Sequence, residues 1–447
     1  MTILNESGAA DVLSPLHAVS DLSSLMRDAL IVVLGTRSEI HAAQSLPAAL
    51  SPAPAGFDPM DRRILFLLLD PDEPPESGRV ASRLVEAAAG TRRTGAVLLV
   101  TTHSASLLGI DPQFETRLTA RRLDLPVLSV SLNSRSSKRR LSTDLEDAAL
   151  AALVEACPPR TSDALQTAAK RTTQRNVRRT GLLLGGRAGR GAAEAETRRP
   201  VVLLGAASGV RDEIAADLER VGVEVDGGVP ALSGVTADLP GLGEDTIVGV
   251  TDPHLTGAAR AAAERGAPVV RTLMPIGVDG TARFVQDVAA AAGIEVSEVV
   301  QARSVWESLG HLRNGIRGKR IFFAGDTGLE IPLARFLVDA GAVVLEVGAP
   351  RLDRRFLADE LHTLGPGVDV VESPDWRGQL KRADETRPDL VVSSPGLHVP
   401  LVAHGHLCLS SRDFRHAGIH GYGGARRVLE IFAGAFERAE ALDSLDL

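Results

Sequence analysis

The sequence predicts an α/β protein built from parallel, doubly wound sheets. Three observations carry that reading. Short apolar runs recur along almost the whole chain, they are continuous rather than alternating, and stretches of helical period separate them. Continuous apolarity suits a strand buried on both faces, and regular strand–helix alternation suits the crossovers of a parallel sheet.

In order, the runs are ALIVVLG (29–35), ILFLLLD (64–70), AVLLV (96–100), PVLSVSL (126–132) and VVLLG (201–205). They continue with TIVGV (246–250), RIFFAG (320–325), AVVLEVG (342–348) and DLVVSSPG (389–396). Between them, VRDEIAADLERVG and LEIPLARFLVDAG read as amphipathic helices, the second closed by Gly341 at the position past its last turn. One stretch breaks the alternation. Residues 161–199 are rich in Arg, Gly and Ala and carry no strand pattern, so they read as a basic, solvated linker. The expected division is a first α/β domain (1–160), that linker, a second α/β domain (200–300), a helical connector (301–317) and a third α/β domain (318–447) ending in a helix.

Composition agrees and narrows the function classes. A chain of 447 residues exceeds one typical domain, and 44% hydrophobic with 24% charged residues is a globular balance. A net charge of -8 and only 3% aromatic residues argue against a general nucleic-acid binder that stacks bases. The two cysteines, Cys157 and Cys408, cannot build a disulfide framework or a CxxC zinc site, which fits a reducing cytoplasm. The first residues lack the basic and apolar regions of a signal peptide, and no apolar run approaches the roughly 20 residues of a membrane span. A cytoplasmic location is expected.

Chemistry should gather where strands end. AVLLVTTHSASLLGID (96–111) delivers His103 from a buried run to the start of a helix, where open α/β sheets place their sites. The turns with Gly205 and Gly209, and with Gly325 and Gly328, match neither GxGxxG nor GxxxxGK[ST]; they read as tight turns, and no P-loop ATP site is expected. His398, His404, His406, His416 and His420 crowd one region, with loop histidines as the default reading. Within it His404, His406 and Cys408 alternate, so on a strand they would share a face and could hold zinc or iron. The carboxylates of GLEIPLAR and LADELH read as solvated helix faces.

Longer patterns carry a resemblance. TLMPIGVDGTARFVQDVAAAAGIE, WESLGHLRNGIRGKRIFFAGDTGLEIPLARFLVDAGAVVLEVGAP, RPDLVVSSPGLHVPL and IHGYGGARRVLEIFAGAF, with IVVLGTRSEIHAA and LLVTTHSASLLGID, are similar to the N subunits of light-independent protochlorophyllide reductase, in the nitrogenase component 1 superfamily. The resemblance spans nearly the whole chain outside the linker. It implies three Rossmann-like domains around a central cleft, a homologous B-type partner in a heterotetramer, and a separate ATP-dependent iron–sulfur reductase that delivers electrons. It also implies a [4Fe-4S] cluster at the subunit interface, held by three cysteines of the N subunit. The substrate it implies is a tetrapyrrole-like small molecule with a ring double bond to reduce.

The cluster positions depart from the family pattern. The cysteine of one strand-end turn is matched by Glu39 and that of another by His103; near the N terminus, Ser14 or Ala10 stands where the third would fall. Cys157 matches a family cysteine that is not a ligand. The absent thiolates point to loss of the cluster rather than to altered ligation by Glu39 and His103. Both residues should then sit at the C-terminal ends of parallel strands, facing a partner. The main reading is a subunit of a nitrogenase-like reductase. The alternatives are a cluster-free scaffold or carrier in tetrapyrrole or metallocofactor assembly, and a reductase of a non-chlorophyll substrate.

Overall fold

A computed structural model describes residues 2–6, 26–49, 63–70, 78–91, 94–132, 142–160, 199–205, 210–365 and 367–444, with a few isolated positions besides. Ser14, Ala10 and the linker residues 161–198 lie outside the described residues.

The chain opens with strand β1 (Thr2–Asn5). Then β2 (Ala29–Gly35) leads into α1 (Arg37–Ala49), and β3 (Ile64–Leu68) into α2 (Arg79–Gly90). β4 (Ala96–Thr101) is followed by α3 (His103–Leu107) and α4 (Pro112–Leu123), and β5 (Val127–Ser131) by α5 (Ser142–Ala156). Every residue of β2 and β4 is buried, which is why these runs contain no polar alternation. The four strands pair in parallel in the order β3-β2-β4-β5.

A second parallel sheet, β7-β6-β8-β9, uses β6 (Val201–Leu204), β7 (Val225–Val229), β8 (Ile247–Val250) and β9 (Val269–Val270). Its helices are α6 (Val210–Arg220), α7 (Thr256–Glu264) and α8 (Val278–Ala291). Helices α9 (Val299–Ser308) and α10 (Gly310–Ile316) follow.

The last unit contains β10 (Arg320–Ala324), α11 (Glu330–Asp339), β11 (Val343–Ala349), α12 (Ala358–Leu364), β12 (Asp369–Glu372) and α13 (Trp376–Thr386). It continues with β13 (Leu390–Ser393), α14 (Pro395–Ala403), β14 (Cys408–Ser410), α15 (Ser411–His416) and the closing helix α16 (Gly421–Asp443). Its sheet has six strands, ordered β1-β12-β11-β10-β13-β14. The chain's first strand therefore belongs to its last sheet, with Thr2 opposite Asp369, and the first unit is not continuous from residue 1 as the sequence reading had it. Glu6 fastens the segment by accepting from the Asp375 N–H and the Arg382 guanidinium, each at 2.7 Å.

Each sheet reverses its strand order once, between β2 and β4, β6 and β8, and β10 and β13. Such reversals open a crevice at the strands' C-terminal ends.

The first two sheets share one core. Helices α5 and α7 pack together, and apolar contacts run from Val33 and Leu98 through Leu150 and Leu153 to Ala258, Ala262 and Val250. Asp147 of α5 caps α7 across the join, accepting from the Gly257 and Ala258 N–H groups at 2.8 Å each. The third unit attaches through a buried charge. Arg335 on α11, 0% exposed, donates to Glu360 at 2.7 Å and to the Ile276 carbonyl at 2.8 Å, while Glu360 also accepts the Met274 N–H at 2.7 Å.

Glu330 and Glu360 correct a sequence expectation. Both are 1% exposed rather than solvated. For Glu330 the reason lies in α11 itself, where every residue from Glu330 to Leu337 is buried, and Glu360, on α12, is buried with its Arg335 and Met274 partners.

Candidate functional site

The first strand-end site forms where β2 and β4 finish side by side, Leu34 opposite Thr101. After β2, Gly35-Thr36-Arg37-Ser38-Glu39 starts α1 with a Thr-x-x-Glu capping box. The Glu39 Oε2 atom accepts the Thr36 N–H and the Thr36 hydroxyl, both at 2.9 Å. It also reaches the neighbouring strand end, accepting the Thr102 hydroxyl at 2.8 Å, while Oε1 accepts the Ser104 N–H at 3.2 Å. One carboxylate thus serves the N-termini of α1 and α3. Gly35 makes room for this: a Cβ there would lie 2.7 Å from Thr102 and 3.1 Å from Glu39 Oε2. Burial, the largest single influence on Glu39, favours the neutral acid. The bonds from the Thr36 N–H, the Thr102 hydroxyl, the Ser104 N–H and the Thr36 hydroxyl outweigh it, and the carboxyl sits below its ordinary range.

His103 is the first residue of α3 and is exposed, at the same sheet edge as Glu39. Leu68 at the end of β3 and Leu107 on α3 are also exposed, so this edge carries apolar surface.

A second strand-end turn repeats the pattern after β10. In Gly325-Asp326-Thr327-Gly328-Leu329-Glu330, the Glu330 Oε1 atom accepts the Thr327 N–H at 2.8 Å and the Thr327 hydroxyl at 2.9 Å. Again the glycine admits the acid, because a Cβ on Gly325 would collide with the Glu330 carboxylate. Oε2 has no hydrogen-bond partner among the described residues. Burial pushes the Glu330 carboxyl up to about 7, helped by the charge of Asp326. Asp326 in turn accepts the Ser411 hydroxyl at 3.0 Å.

Between the units lies a buried polar node. Glu146 on α5 pairs with Arg415 on α15 and, at 3.2 Å, with His254 after β8, so each of the three units supplies one member. Next to it, His420 meets Asp252 at 3.1 Å, and Asp252 also accepts the Thr251 hydroxyl at 2.8 Å. Burial alone would raise Glu146, but Arg415 and then His254 bring it below the usual range; Asp252 is lowered likewise, chiefly by His420 against burial. Nothing in a single stretch of sequence marks this node, since its members lie in separate units.

The histidine-rich region folds differently from the expected strand face. His404 follows the end of α14, Gly405 turns with φ 84°, and the strand begins only at Cys408. Asp384 on α13 takes both imidazoles, from His404 Nδ1 and His406 Nε2 at 2.9 Å each. Cys408 instead donates its thiol to the His406 carbonyl at 3.5 Å. Among the described residues, no group of three or more His, Cys, Asp or Glu is placed to hold a metal ion. His398 bonds Ser393 at 2.9 Å. No helix of the described residues is long and apolar enough to cross a membrane.

The donor set decides how a [4Fe-4S] cluster would fare at the first site. The whole chain has two cysteines, so it cannot supply three thiolates. Cys157 is buried just past α5, where burial pushes its thiol up to about 11, and Cys408 is in the third sheet with its thiol raised by burial to about 12. The residues present at the site do not fit the group.

Two signals for the missed residues were available. TRSE after a strand is a capping-box pattern, and LEIPLARFL is apolar all round, which foretells a buried helix with buried charges.

Comparison with known proteins gives a consistent answer. The family model described as nitrogenase component 1 type oxidoreductase matches residues 81–437. "Light-independent protochlorophyllide reductase subunit N" of Roseiflexus sp. (strain RS-1) is 32% identical, covering 99% of this chain and 96% of the relative. The protein of the same name from Heliobacterium modesticaldum (strain ATCC 51547 / Ice1) is 31% identical, covering 98% of this chain and 97% of the relative. Among solved structures, "Nitrogenase Cp1 at pH 6.5" superposes with a TM-score of 0.67 over 98% of this chain and 93% of that one, at 14% identity, a likeness of fold. The chain belongs to the nitrogenase component 1 type oxidoreductase family.

Proposed function

We propose that the chain is an N-type component of a nitrogenase-like, ATP-dependent reductase that reduces a ring double bond of protochlorophyllide or another conjugated tetrapyrrole. The observation that supports this is the extent of the likeness: identity of 32% to a subunit N runs through all three sheets rather than one domain. On this reading a homologous B-type subunit completes a heterotetramer. With no P-loop in this chain, ATP hydrolysis and electron supply fall to a separate iron–sulfur reductase.

This chain's share is binding and orientation. His254 follows β8 and Arg415 follows β14, so the Glu146–His254–Arg415 node lies past strand ends of the second and third sheets, and the substrate would be held at these strand ends. A [4Fe-4S] cluster, in a relative that holds one, would supply one-electron transfer chemistry. No ligand of it is assigned to Glu39 or His103, and no step runs through that edge.

The absent thiolates also favour a second reading, a cluster-free scaffold or carrier in tetrapyrrole or metallocofactor assembly. One experiment separates them: anaerobic co-purification with a B-type partner and the reductase, followed by visible spectroscopy with protochlorophyllide. The expected outcome is partner-dependent pigment binding and ATP-dependent conversion. Binding without conversion moves the assignment to the carrier or to a reductase of a different tetrapyrrole. Failure to bind both partner and pigment overturns it.

A further inference from the structure

We infer that the strand-end edge of the first sheet is a closed, metal-free clasp, in which Glu39 does the fastening that a shared cluster would otherwise do. Three observations on independent footings carry this. The chain has too few cysteines for the ligand set, and neither of them lies at this edge. The Glu39 carboxylate is committed to four donors, from Thr36 twice, Thr102 and Ser104. The backbone is shaped around the carboxylate, since a side chain on Gly35 would displace Thr102 and press on Glu39.

The physical argument is one of satisfied groups. A strand end that turns straight into a helix leaves backbone N–H groups without partners. Here two such ends sit on adjacent strands, and a single anion satisfies an N–H from each while lying at the positive ends of both helices. Three of the four donors fall on Oε2, so ligating a metal through that oxygen would mean giving up those bonds. Thr102 strengthens the join through its N–H, which donates to the Leu34 carbonyl at 3.0 Å, and through its single hydroxyl proton, shared between that carbonyl at 2.9 Å and Glu39 at 2.8 Å. Strands β2 and β4 are thus tied at their ends without any metal, and the chain folds and holds this edge in shape with no iron supplied.

The inference rests on the proposed function only for where a cluster is expected, and its test can fail separately. Full-length protein is prepared from iron-replete anaerobic culture and from iron-depleted, chelator-treated culture. Iron and acid-labile sulfide are measured, with hydrogen exchange of the Thr36 and Ser104 amides. The expected result is no stoichiometric iron and equal protection of both amides in both preparations. Glu39→Ala should speed exchange of both amides roughly tenfold, with the iron content unchanged. If that variant does not fold, Thr102→Val, which keeps the carboxylate, should loosen the same amides to a smaller degree. Iron that co-purifies and is lost in Glu39→Ala or His103→Ala, or amide protection that falls on chelation, overturns the clasp. Partner and pigment binding are read on the same iron-free protein. Their absence would sink the proposed function and leave the clasp intact.

Discussion

The turns after β2 and β10 are built on one plan, yet their glutamates are shifted in opposite directions. Each runs from a buried strand through a glycine to a Thr-x-x-Glu box, and in each the threonine donates both its N–H and its hydroxyl to the glutamate. Glu39 has two further donors from the next strand end and titrates below its ordinary range. Glu330 has no second strand end to serve, its Oε2 atom lacking a hydrogen-bond partner among the described residues; it is buried beside Asp326 and is pushed up to about 7. The motif therefore sets geometry, while donors and neighbouring charge set protonation. A carboxylate that serves two helices stays an anion, and one that serves a single helix in the core becomes an acid near neutral pH.

The largest effect should come from breaking this contrast at Glu330. Its folded value near 7 lies above the ordinary 4.5, so the folded state holds the proton more tightly. Stability from this group is present below about pH 4.5 and is lost as pH rises towards 7, a change on the order of 3 kcal/mol if the whole shift is realised. Urea unfolding between pH 5 and pH 9 should show wild type weakening across that window. Glu330→Gln, a neutral isostere, should flatten the dependence and match or exceed wild type at the alkaline end. A variant with the same pH slope as wild type would place the titrating group elsewhere.

Glu39 should behave in the reverse sense. Its folded value lies below 4.5, so its contribution is present above the unfolded value and is lost as pH falls below it. Glu39→Ala strips the cap from α1 and the tie to α3 and should cost about 2 kcal/mol at neutral pH. Equilibrium unfolding followed by exchange of the β2 and β4 amides would measure it. Wild-type stability retained at neutral pH would mean that the four bonds contribute nothing.

Thr102→Val tests the tie between the strands alone. It keeps shape and volume while removing the hydroxyl whose single proton is shared between Glu39 at 2.8 Å and the Leu34 carbonyl at 2.9 Å. The expected cost is about 1 kcal/mol. Combined with Glu39→Ala in a double-mutant cycle, the two changes should be clearly non-additive, because they share a bond.

Much of the fold was legible because the central strands are buried on both faces and so read as unbroken apolar runs: ALIVVLG, AVLLV and RIFFA became β2, β4 and β10. The strands that escaped notice lack that signal. β7 is VDGGV, half glycine and acid at its start, β9 is two residues, and β12 is DVVE with a charge at either end. β1 finds its partner at Asp369–Glu372, and such a distant pairing leaves no local trace. The site was legible in part. The strand-end placement of Glu39 and His103 follows from a buried run meeting a helix start, whereas the bonds from Thr102 and Ser104 to Glu39 depend on β2 and β4 being neighbours. Asp359 is exposed as expected, but Glu330 and Glu360 were misjudged because charge on a helix ordinarily marks its wet face; Arg335, Glu360 and the 274–276 loop satisfy one another in the core instead.

The smallest effect concerns what raises Glu330. Burial comes first among the causes, and the charge of Asp326 is a lesser one. Asp326→Asn removes that charge while leaving an amide oxygen to accept the Ser411 hydroxyl, now at 3.0 Å from Asp326. The Glu330 carboxyl should then titrate slightly lower yet remain well above its ordinary range, so the loss of stability should still begin near pH 4.5, be complete at a lower pH than in wild type, and keep most of its size. Its titration can be followed by the carboxyl stretch in infrared difference spectra, with Glu330→Gln identifying the band. A return of Glu330 to an ordinary value in Asp326→Asn would make like-charge repulsion the main cause and burial the minor one. The contrast with Glu39 would then lie in a neighbouring charge rather than in the number of donors each acid receives.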